Sequence, residues 1–278
     1  PLADEVFTDW YSGSLPYRVT PKDGIAARAP GATTVVASGV DRIALRDATG
    51  RYLTTCDDDG TGLRLLPATG GGPGPAAGFD VFDWGNGVFS LRAAATGRTV
   101  SVDDTGRLVA DQPGPNGWVV RETFRLVDSA SGTAALRHQA TGLDIVADPE
   151  GRLHLAATGA ASEQAPGTAG GTAVGGSATA IVGGRTGAAV EFVAELLVDG
   201  IAAAAAAAAA ADVAVVVLGN HPMVGGRETE DRVDLELPRA QDALLRAVHA
   251  ANPDTVLVLT SSYPYAITWA DAHLPAVL

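Results

Sequence analysis

Between Arg227 and Arg232 the chain sets three carboxylates among two guanidiniums, in the order Arg-Glu-Thr-Glu-Asp-Arg. A carboxyl in such a run can act first as a general acid and then as a base, provided burial or a neighbouring negative charge lifts its pKa toward neutrality. Here the influences oppose each other. Arg227 and Arg232 lower the pKa of a nearby carboxyl, whereas Glu230 and Asp231 raise it. The residues alone favour a loop in which Glu228 and Glu230 merely meet solvent over one in which either projects as the proton donor. His221-Pro222 opens the same stretch, and Asp231-Arg232 is expected to form a local ion pair that fixes it.

Other chemistries lack their residues. No second His, Cys or paired carboxylate stands at ligand spacing from His221, so no metal is expected. Ser261-Ser262 lacks the Gly-x-Ser-x-Gly elbow of a nucleophilic serine. Gly225-Gly226 lacks the order of a dinucleotide-binding loop, and no cofactor is implied. The single cysteine, Cys56, excludes an intrachain disulfide and reads as a small packed residue. A net charge of −13 argues against nucleic acid and anionic membranes as partners. The alanine tract from Ala202 is too short and too weakly hydrophobic to cross a bilayer.

The elements that must position the carboxylates lie on either side of them. Asp212-Val-Ala-Val-Val-Val-Leu-Gly219 is an apolar run closed by glycine, suited to a strand buried on both faces of a parallel sheet. Leu237 to Ala251 reads as a helix with Pro238 in its first turn and Ala240, Leu244, Val248 and Ala251 on one face. Asn252-Pro253 ends it, and Val256-Leu-Val-Leu259 is a second strand. A right-handed crossover places the long loop at the C-terminal edge of the sheet, where ligands bind in open α/β sheets. Near the other end, Thr20 caps a short helix from Pro21 to about Arg28, and Val35-Val36 is a brief strand. The run Ala202–Ala211 returns the chain to the sheet as a helix.

From Gly39 to about Gly200 the texture changes. Leu45-Arg-Asp-Ala-Thr-Gly50, Leu91-Arg-Ala-Ala-Ala-Thr-Gly97 and Leu136-Arg-His-Gln-Ala-Thr-Gly142 repeat one pattern, with 47 residues from Gly50 to Gly97 and 45 from Gly97 to Gly142. Each copy is followed by β-rich segments and a closing strand: Phe79–Trp84, Phe124–Asp128 and Phe192–Val198. Three lobes of about four strands make a β-trefoil, and the repeated pattern resembles the fascin-like type. The third lobe carries a Gly-, Ala-, Ser- and Thr-rich stretch at 159–187, expected to be a flexible loop because it cannot bury enough surface to offset chain entropy.

Residues 211–278 resemble the second, α/β-sandwich domain of the family 3 glycoside hydrolases (β-glucosidases, β-xylosidases and relatives). The likeness rests on the order and spacing of Ala211-Asp-Val-Ala-Val-Val-Val, Glu228-Thr-Glu-Asp-Arg232, Leu235-Glu-Leu-Pro238, Ala247-Val-His-Ala-Ala-Asn-Pro253 and Tyr263-Pro264 through Trp269 to Pro275-Ala-Val-Leu278. Ala3-Asp4, Tyr11-Ser-Gly13 and Val19-Thr-Pro21 resemble the opening of the same domain. The resemblance implies an α/β fold (an incomplete α/β sandwich with a mostly parallel sheet) plus an inserted all-β domain, the trefoil. Residues 1–39 and 201–278 would be the two pieces of the sandwich, the second truncated, and 40–200 the insert.

The resemblance also implies a retaining, exo-acting β-glycosidase. Such enzymes hold two carboxyls about 5–5.5 Å apart across the scissile bond. In many members the acid/base is the glutamate three residues before an Asp-Arg pair, often in Glu-Gly-x-Asp-Arg; here that position is Glu228. Thr229 stands where glycine is usual, and its β-branched side chain disfavours positive φ, which leaves Glu230 as the fallback. His221 and Arg227 are weak candidates for substrate binding. Thr8-Asp9-Trp10 mimics the family's nucleophile tripeptide, but Asp9 lacks the barrel strand that should precede it, so the nucleophile is expected outside these residues and the chain alone is expected to be inactive. The implied partner is a β-linked oligosaccharide or glycoside. The alternative is a trefoil that binds carbohydrate or protein on an inactive scaffold. Trp84, Trp118 and Tyr52 could then stack on sugar rings, though packing is the simpler role for them and for His138 and His154.

Overall fold

The computed structural model describes residues 2–9, 11–56, 61–129, 132–157, 187–225 and 231–278. Helix α1, Pro21–Arg28, begins at a reciprocal cap: the Thr20 hydroxyl accepts the Asp23 N–H at 3.1 Å and the Asp23 carboxylate accepts the Thr20 N–H at 3.4 Å. The strand expected at Val35-Val36 does not form; both valines are exposed in irregular chain. Two β-branched residues without a paired neighbour do not fix a strand.

Twelve strands follow in order: β1 Arg42–Asp47, β2 Arg51–Cys56, β3 Gly62–Pro67, β4 Phe79–Asp83, β5 Val88–Ala93, β6 Thr99–Val102, β7 Leu108–Gln112, β8 Phe124–Asp128, β9 Ala134–His138, β10 Asp144–Ala147, β11 Leu153–Ala156 and β12 Glu191–Val198. The chain divides into two compact units, and one of them consists of Arg42–Val81 and Gly87–Leu197. In it, neighbouring strands close a ring in the order β1–β4–β5–β8–β9–β12 and back to β1. The remaining strands form the hairpins β2–β3, β6–β7 and β10–β11.

Those hairpins are tied to one another in a cycle. The Leu65 N–H donates to the Gly151 carbonyl at 2.8 Å, the Ala110 N–H to Thr61 at 2.7 Å, and the Leu155 N–H to Gly106 at 2.8 Å. Donors at 65, 110 and 155 and acceptors at 61, 106 and 151 are each spaced by 45 residues, so the sequence period reappears as a threefold set of bonds. Inside, Leu45, Leu91 and Leu136, then Leu63, Leu108 and Leu153, then Phe79, Phe124 and Phe192 form one core, none more than 2% exposed. Burial of that many large side chains is the main term holding the unit together.

This architecture corrects the expected class. Among the described residues the chain is 35% strand and 17% helix, with a 12-stranded antiparallel sheet; it is not an α/β sandwich built on a mostly parallel sheet. Among the described residues parallel pairing is confined to three strands: β13 Ala214–Gly219, β14 Thr255–Thr260 and β15 Ala276–Val277. The valine runs that suggested a mostly parallel sheet find only these neighbours among the described residues. The short glycine-punctuated strands supply most of the regular structure.

The second unit, Pro1–Asp41, Phe82–Asn86 and Val198–Leu278, contains α1 and this parallel sheet. Helix α2, Gly200–Ala209, is capped by Asp199, whose carboxylate accepts the Ala202 N–H at 2.8 Å. Its buried face is Ala204 and Ala208, one turn apart, sharing a core with Leu244, Leu245 and Val248 of helix α3, Arg239–Ala251, and with Ala270 of helix α4, Thr268–His273. Among the described residues no helix is long and apolar enough to cross a membrane.

The ring of hairpins makes a graded test possible. Gly50 and Gly151 both have positive φ, but a Cβ at Gly50 meets nothing within 4 Å, whereas at Gly151 it would stand 2.8 Å from the Leu65 carbonyl oxygen. Gly50→Ala is expected to cost about 1 kcal/mol and Gly151→Ala about 3 kcal/mol, read by chemical denaturation. Equal costs would mean that the inter-hairpin bond at Gly151 is not a close constraint.

Candidate functional site

β13 reaches its C-terminal end at Gly219, and the reason it stops there is steric. A Cβ on Gly219 would lie 1.9 Å from the Thr260 carbonyl oxygen at the end of β14, so only glycine allows the two strand ends this approach. The main chain of Gly219 is then held by one side chain. Gln241, 4% exposed, accepts the Gly219 N–H at 2.9 Å and donates its own amide N–H to the Gly219 carbonyl at 2.8 Å. Both polar groups of a buried residue are thereby satisfied.

The chain leaves this clamp through Asn220, His221, Met223 and Val224, all buried. Ser261 donates to the Asn220 side-chain oxygen at 2.7 Å, tying the exit of β13 to the exit of β14. The ring of His221 packs 4.5 Å from Phe7 and 5.8 Å from Trp84 between centroids. Its Nδ1 accepts the Met223 N–H at 3.2 Å, which puts the ring proton on Nε2. Burial pushes its pKa down to about 4. His221 is thus a neutral packed group at neutral pH.

Arg227, Glu228 and Glu230, the remaining sequence-derived site residues, lie outside the described residues. Their flanks are defined. Gly225 packs against the Arg232 side chain, since a Cβ there would sit 3.7 Å from its Cγ. Arg232 donates through Nη2 to the Pro264 carbonyl at 2.5 Å, and its guanidinium lies 4.5 Å from the Tyr265 ring centroid and 5.5 Å from that of Tyr263. Its Nη1 is buried without a hydrogen-bond partner among the described residues. The expected Asp231–Arg232 ion pair is therefore replaced by a carbonyl bond and cation–π contacts, while Asp231 is exposed. Burial raises the Tyr265 pKa; Arg232 works against it.

Other singled-out residues have packing roles. Trp84 stacks on Phe82 at 6.0 Å besides meeting His221. Tyr52 is buried and donates its hydroxyl to Glu195 at 2.9 Å. His138 is wholly buried, its Nδ1 2.9 Å from the Thr141 hydroxyl, and His154 lies 3.3 Å from Asp148. Trp118 differs: it is 51% exposed. Asp9 caps a turn, accepting from the N–H groups of Tyr11 at 2.9 Å and Ser12 at 2.8 Å, and hydrogen bonding from Ser12 lowers its pKa. Among the described residues no cluster of His, Cys, Asp or Glu could hold a metal ion. A cavity of about 380 Å³ opens beside the first turns of α3, lined by Glu236, Arg239, Asp242, Arg246, Thr268 and Trp269 among others. Arg246 already pairs with Asp242 at 2.7 Å and lies 4.4 Å over the Trp269 ring.

Sequence reasoning missed Gln241 and the tyrosine pair around Arg232. It put Ala240 on one face of α3 with Leu244, Val248 and Ala251, and Pro238 in its first turn. Pro238 is instead the N-cap, and the buried residues are Gln241, Leu244, Leu245 and Val248. A polar residue standing one turn before Leu244 and Leu245 on the apolar stripe was the available signal.

The family model described as Glycosyl hydrolase family 3 C-terminal domain matches residues 1–278. No curated protein matches the chain. Similar solved structures include a designed 3-fold symmetric protein, ThreeFoil, 17% identical with a TM-score of 0.35, covering 42% of this chain and 89% of that one. The Haemophilus ducreyi cytolethal distending toxin is 17% identical, TM-score 0.36, covering 52% and 94%. A GlcNAcα1-4Gal releasing endo-β-galactosidase from Clostridium perfringens is 15% identical, TM-score 0.35, covering 41% and 28%.

Two outcomes check the local geometry. Gln241→Leu leaves the buried N–H and C=O of Gly219 without partners and is expected to cost about 3 kcal/mol in denaturant unfolding. The folded pKa of His221 lies below the ordinary 6.5. Its stabilising contribution is complete above the unfolded value and is lost as pH falls from about 6.5 toward 4. Ring nitrogen NMR at about pH 6 should show a neutral, Nε2-protonated imidazole.

Proposed function

We propose, from the premise that the chain belongs to the glycosyl hydrolase family 3 C-terminal domain family, that it is part of a retaining, exo-acting β-glycosidase. The family match over residues 1–278 is the observation that carries this reading. In it Glu228 is the general acid/base, with Glu230 as fallback; it protonates the leaving oxygen and then deprotonates the attacking water. The nucleophilic carboxylate comes from a barrel domain outside these residues. The substrate is a terminal β-linked glucoside or xyloside.

The location of the carboxylate run supports this assignment. The run follows the C-terminal end of β13, and the edge formed by such strand ends is where ligands sit in open parallel sheets. Gln241, Gly219 and Arg232 give its two flanks fixed anchors. We further propose that residues 40–200 are a fascin-like β-trefoil inserted between segments 1–39 and 201–278. The closed ring of six strands and the cyclic bonds among three hairpins support that reading. A second role, binding of carbohydrate or protein by the trefoil, is favoured by the half-exposed indole of Trp118.

The chain alone is expected to release no aryl alcohol from an aryl β-glucoside above a Glu228→Gln control. In the enzyme that joins it to the nucleophile-bearing barrel, Glu228→Gln should lower kcat/KM about 10²–10⁴-fold for a poor leaving group. The loss should be far smaller for a dinitrophenyl glycoside, which leaves without protonation. Equal losses on both substrates would remove Glu228 from the proton-donor role, and the same comparison with Glu230→Gln tests the fallback.

A further inference from the structure

Residues Phe82–Asn86 come in the chain between Val81 of β4 and the start of β5, yet they belong to the compact unit that holds β13 and α3. There the Asp83 carboxylate accepts the Gly85 N–H through Oδ1 at 2.8 Å and the Ala240 N–H through Oδ2 at 3.3 Å. Ala240 is the second residue of α3, whose N-cap, Pro238, has no side-chain acceptor to offer. Asp83 thus supplies the cap from a distant part of the sequence. Gly85 lies beside the same proline: a Cβ on it would stand 3.8 Å from Pro238 Cγ. Trp84 meets the His221 ring edge to face, with 77° between the planes.

The internal repeat shows what a lobe needs at this corner. β4 and β8 correspond, and at the 45-residue spacing of Phe79 and Phe124, Asp83 matches Asp128 and Trp84 matches Ser129. Ser129 closes the second corner through its main chain, donating to the Thr133 carbonyl at 2.9 Å and accepting the Gly132 N–H at 3.2 Å. A lobe therefore turns here without an indole, and the ring of Trp84 answers to His221 instead. Asn86, at φ +53°, is the one non-glycine with positive φ among the described residues. Such an uncommon conformation persists where the surrounding contacts fix it.

Both contacts bear on the chain around the carboxylate run. Asp83 holds the turn of α3 that carries Gln241, and Gln241 clamps Gly219 at the end of β13. Trp84 backs His221, whose Nδ1 accepts the Met223 N–H two residues on. Glu228 follows His221 by seven residues. We propose that Asp83 and Trp84 are positioning residues for the proposed reaction, holding the first turn of α3 and His221 and through them the flanks of the stretch that bears Glu228. The proposal rests on the reading of Glu228 as the acid/base. It gives residues 40–200 a part in turnover besides any binding they do.

The test has two parts. In the 278-residue chain, Asp83→Ala should lower the exchange protection of the Ala240 amide about tenfold, while amides in the middle of β13 keep theirs. Trp84→Ser, which borrows the residue of the matching corner, should do the same to the Met223 amide. In the enzyme that joins this chain to the barrel, each variant should lower kcat about tenfold on a poor leaving group, with KM little changed. On a dinitrophenyl glycoside, which leaves without protonation, the loss should be far smaller. Asp83→Asn, which keeps an acceptor oxygen, and Trp84→Phe, which keeps a ring edge, should restore most of the rate. Unchanged amides, equal losses on both substrates, or no recovery in the conservative variants would each overturn the positioning role, and Trp84→Ser decides alone if Asp83→Ala does not fold. A leaving-group difference in Glu228→Gln that both positioning variants lack removes this proposal only; its absence from Glu228→Gln as well removes the acid/base reading and this one with it.

Discussion

Two hydrogen bonds between the Gln241 carboxamide and the main chain of Gly219, one accepted and one donated by the side chain, determine how the parallel unit ends its first strand. β13 and β14 pair in register from Ala214 with Thr255 to Gly219 with Thr260, and at the last pair the backbones are too close for any side chain on β13. A strand end this tight commits its last N–H and C=O to burial without a sheet partner on the far side. Gln241 supplies both partners from the first turn of α3, so the helix and the strand end are set by one residue. Asn220 and Ser261 continue the tie beyond the sheet. The chain therefore leaves β13 from a strand end held by side-chain hydrogen bonds on both of its exits.

The antiparallel unit solves a different problem, that of many short strands with few residues each. A four- or six-residue strand cannot hold a partner by itself. Here the six ring strands have no free edge among themselves, and the three hairpins brace one another through bonds that run lobe to lobe. The 45-residue spacing is the consequence: a change of length inside one lobe would displace its donor from the acceptor of the next. The stretch between β11 and β12, much longer than its counterparts, falls after the third hairpin has closed, so it leaves the cycle intact.

Much of this was legible in the residues. Thr20-Pro21, the alanine run and the valine run mark α1, α2 and β13 because each depends on local preferences: a cap, a propensity, a buried apolar stretch. The Leu-Arg…Thr-Gly repeats mark the turns between β1 and β2, β5 and β6, and β9 and β10, where a positive-φ glycine recurs at Gly50, Gly97 and Gly142. What was not legible is tertiary. The weight of antiparallel over parallel pairing depends on how many neighbours each run finds, and an apolar stretch such as Val215-Val216-Val217-Leu218 carries no count of them. Gln241 stands on the apolar stripe of α3 in the sequence, but its partner Gly219 is met only in the fold, and Arg232 reads as the partner of Asp231 until Pro264, Tyr263 and Tyr265 are brought under it. Arg227, Glu228 and Glu230 stand outside the described residues, so only the anchors on either side of them can be compared with expectation.

The acidic surplus also takes on a structural meaning. Asp103 and Asp148 occupy corresponding turns, between β6 and β7 and between β10 and β11, and Asp47 the turn between β1 and β2; each accepts the N–H of the residue four further on, Arg107, Arg152 and Arg51. Burial raises the pKa of Asp47 and of Asp148, but hydrogen bonds and arginine outweigh it and both end below the ordinary value. Carboxylates committed to turns in this way are poor proton donors at neutral pH, so the charge of −13 says little about substrate. A general acid has to be free of such duty. Asp9 is not, being fixed by the backbone it caps. Gln241 and Arg232 anchor the two flanks of the carboxylates that follow β13 in the chain, the groups the proposed chemistry uses.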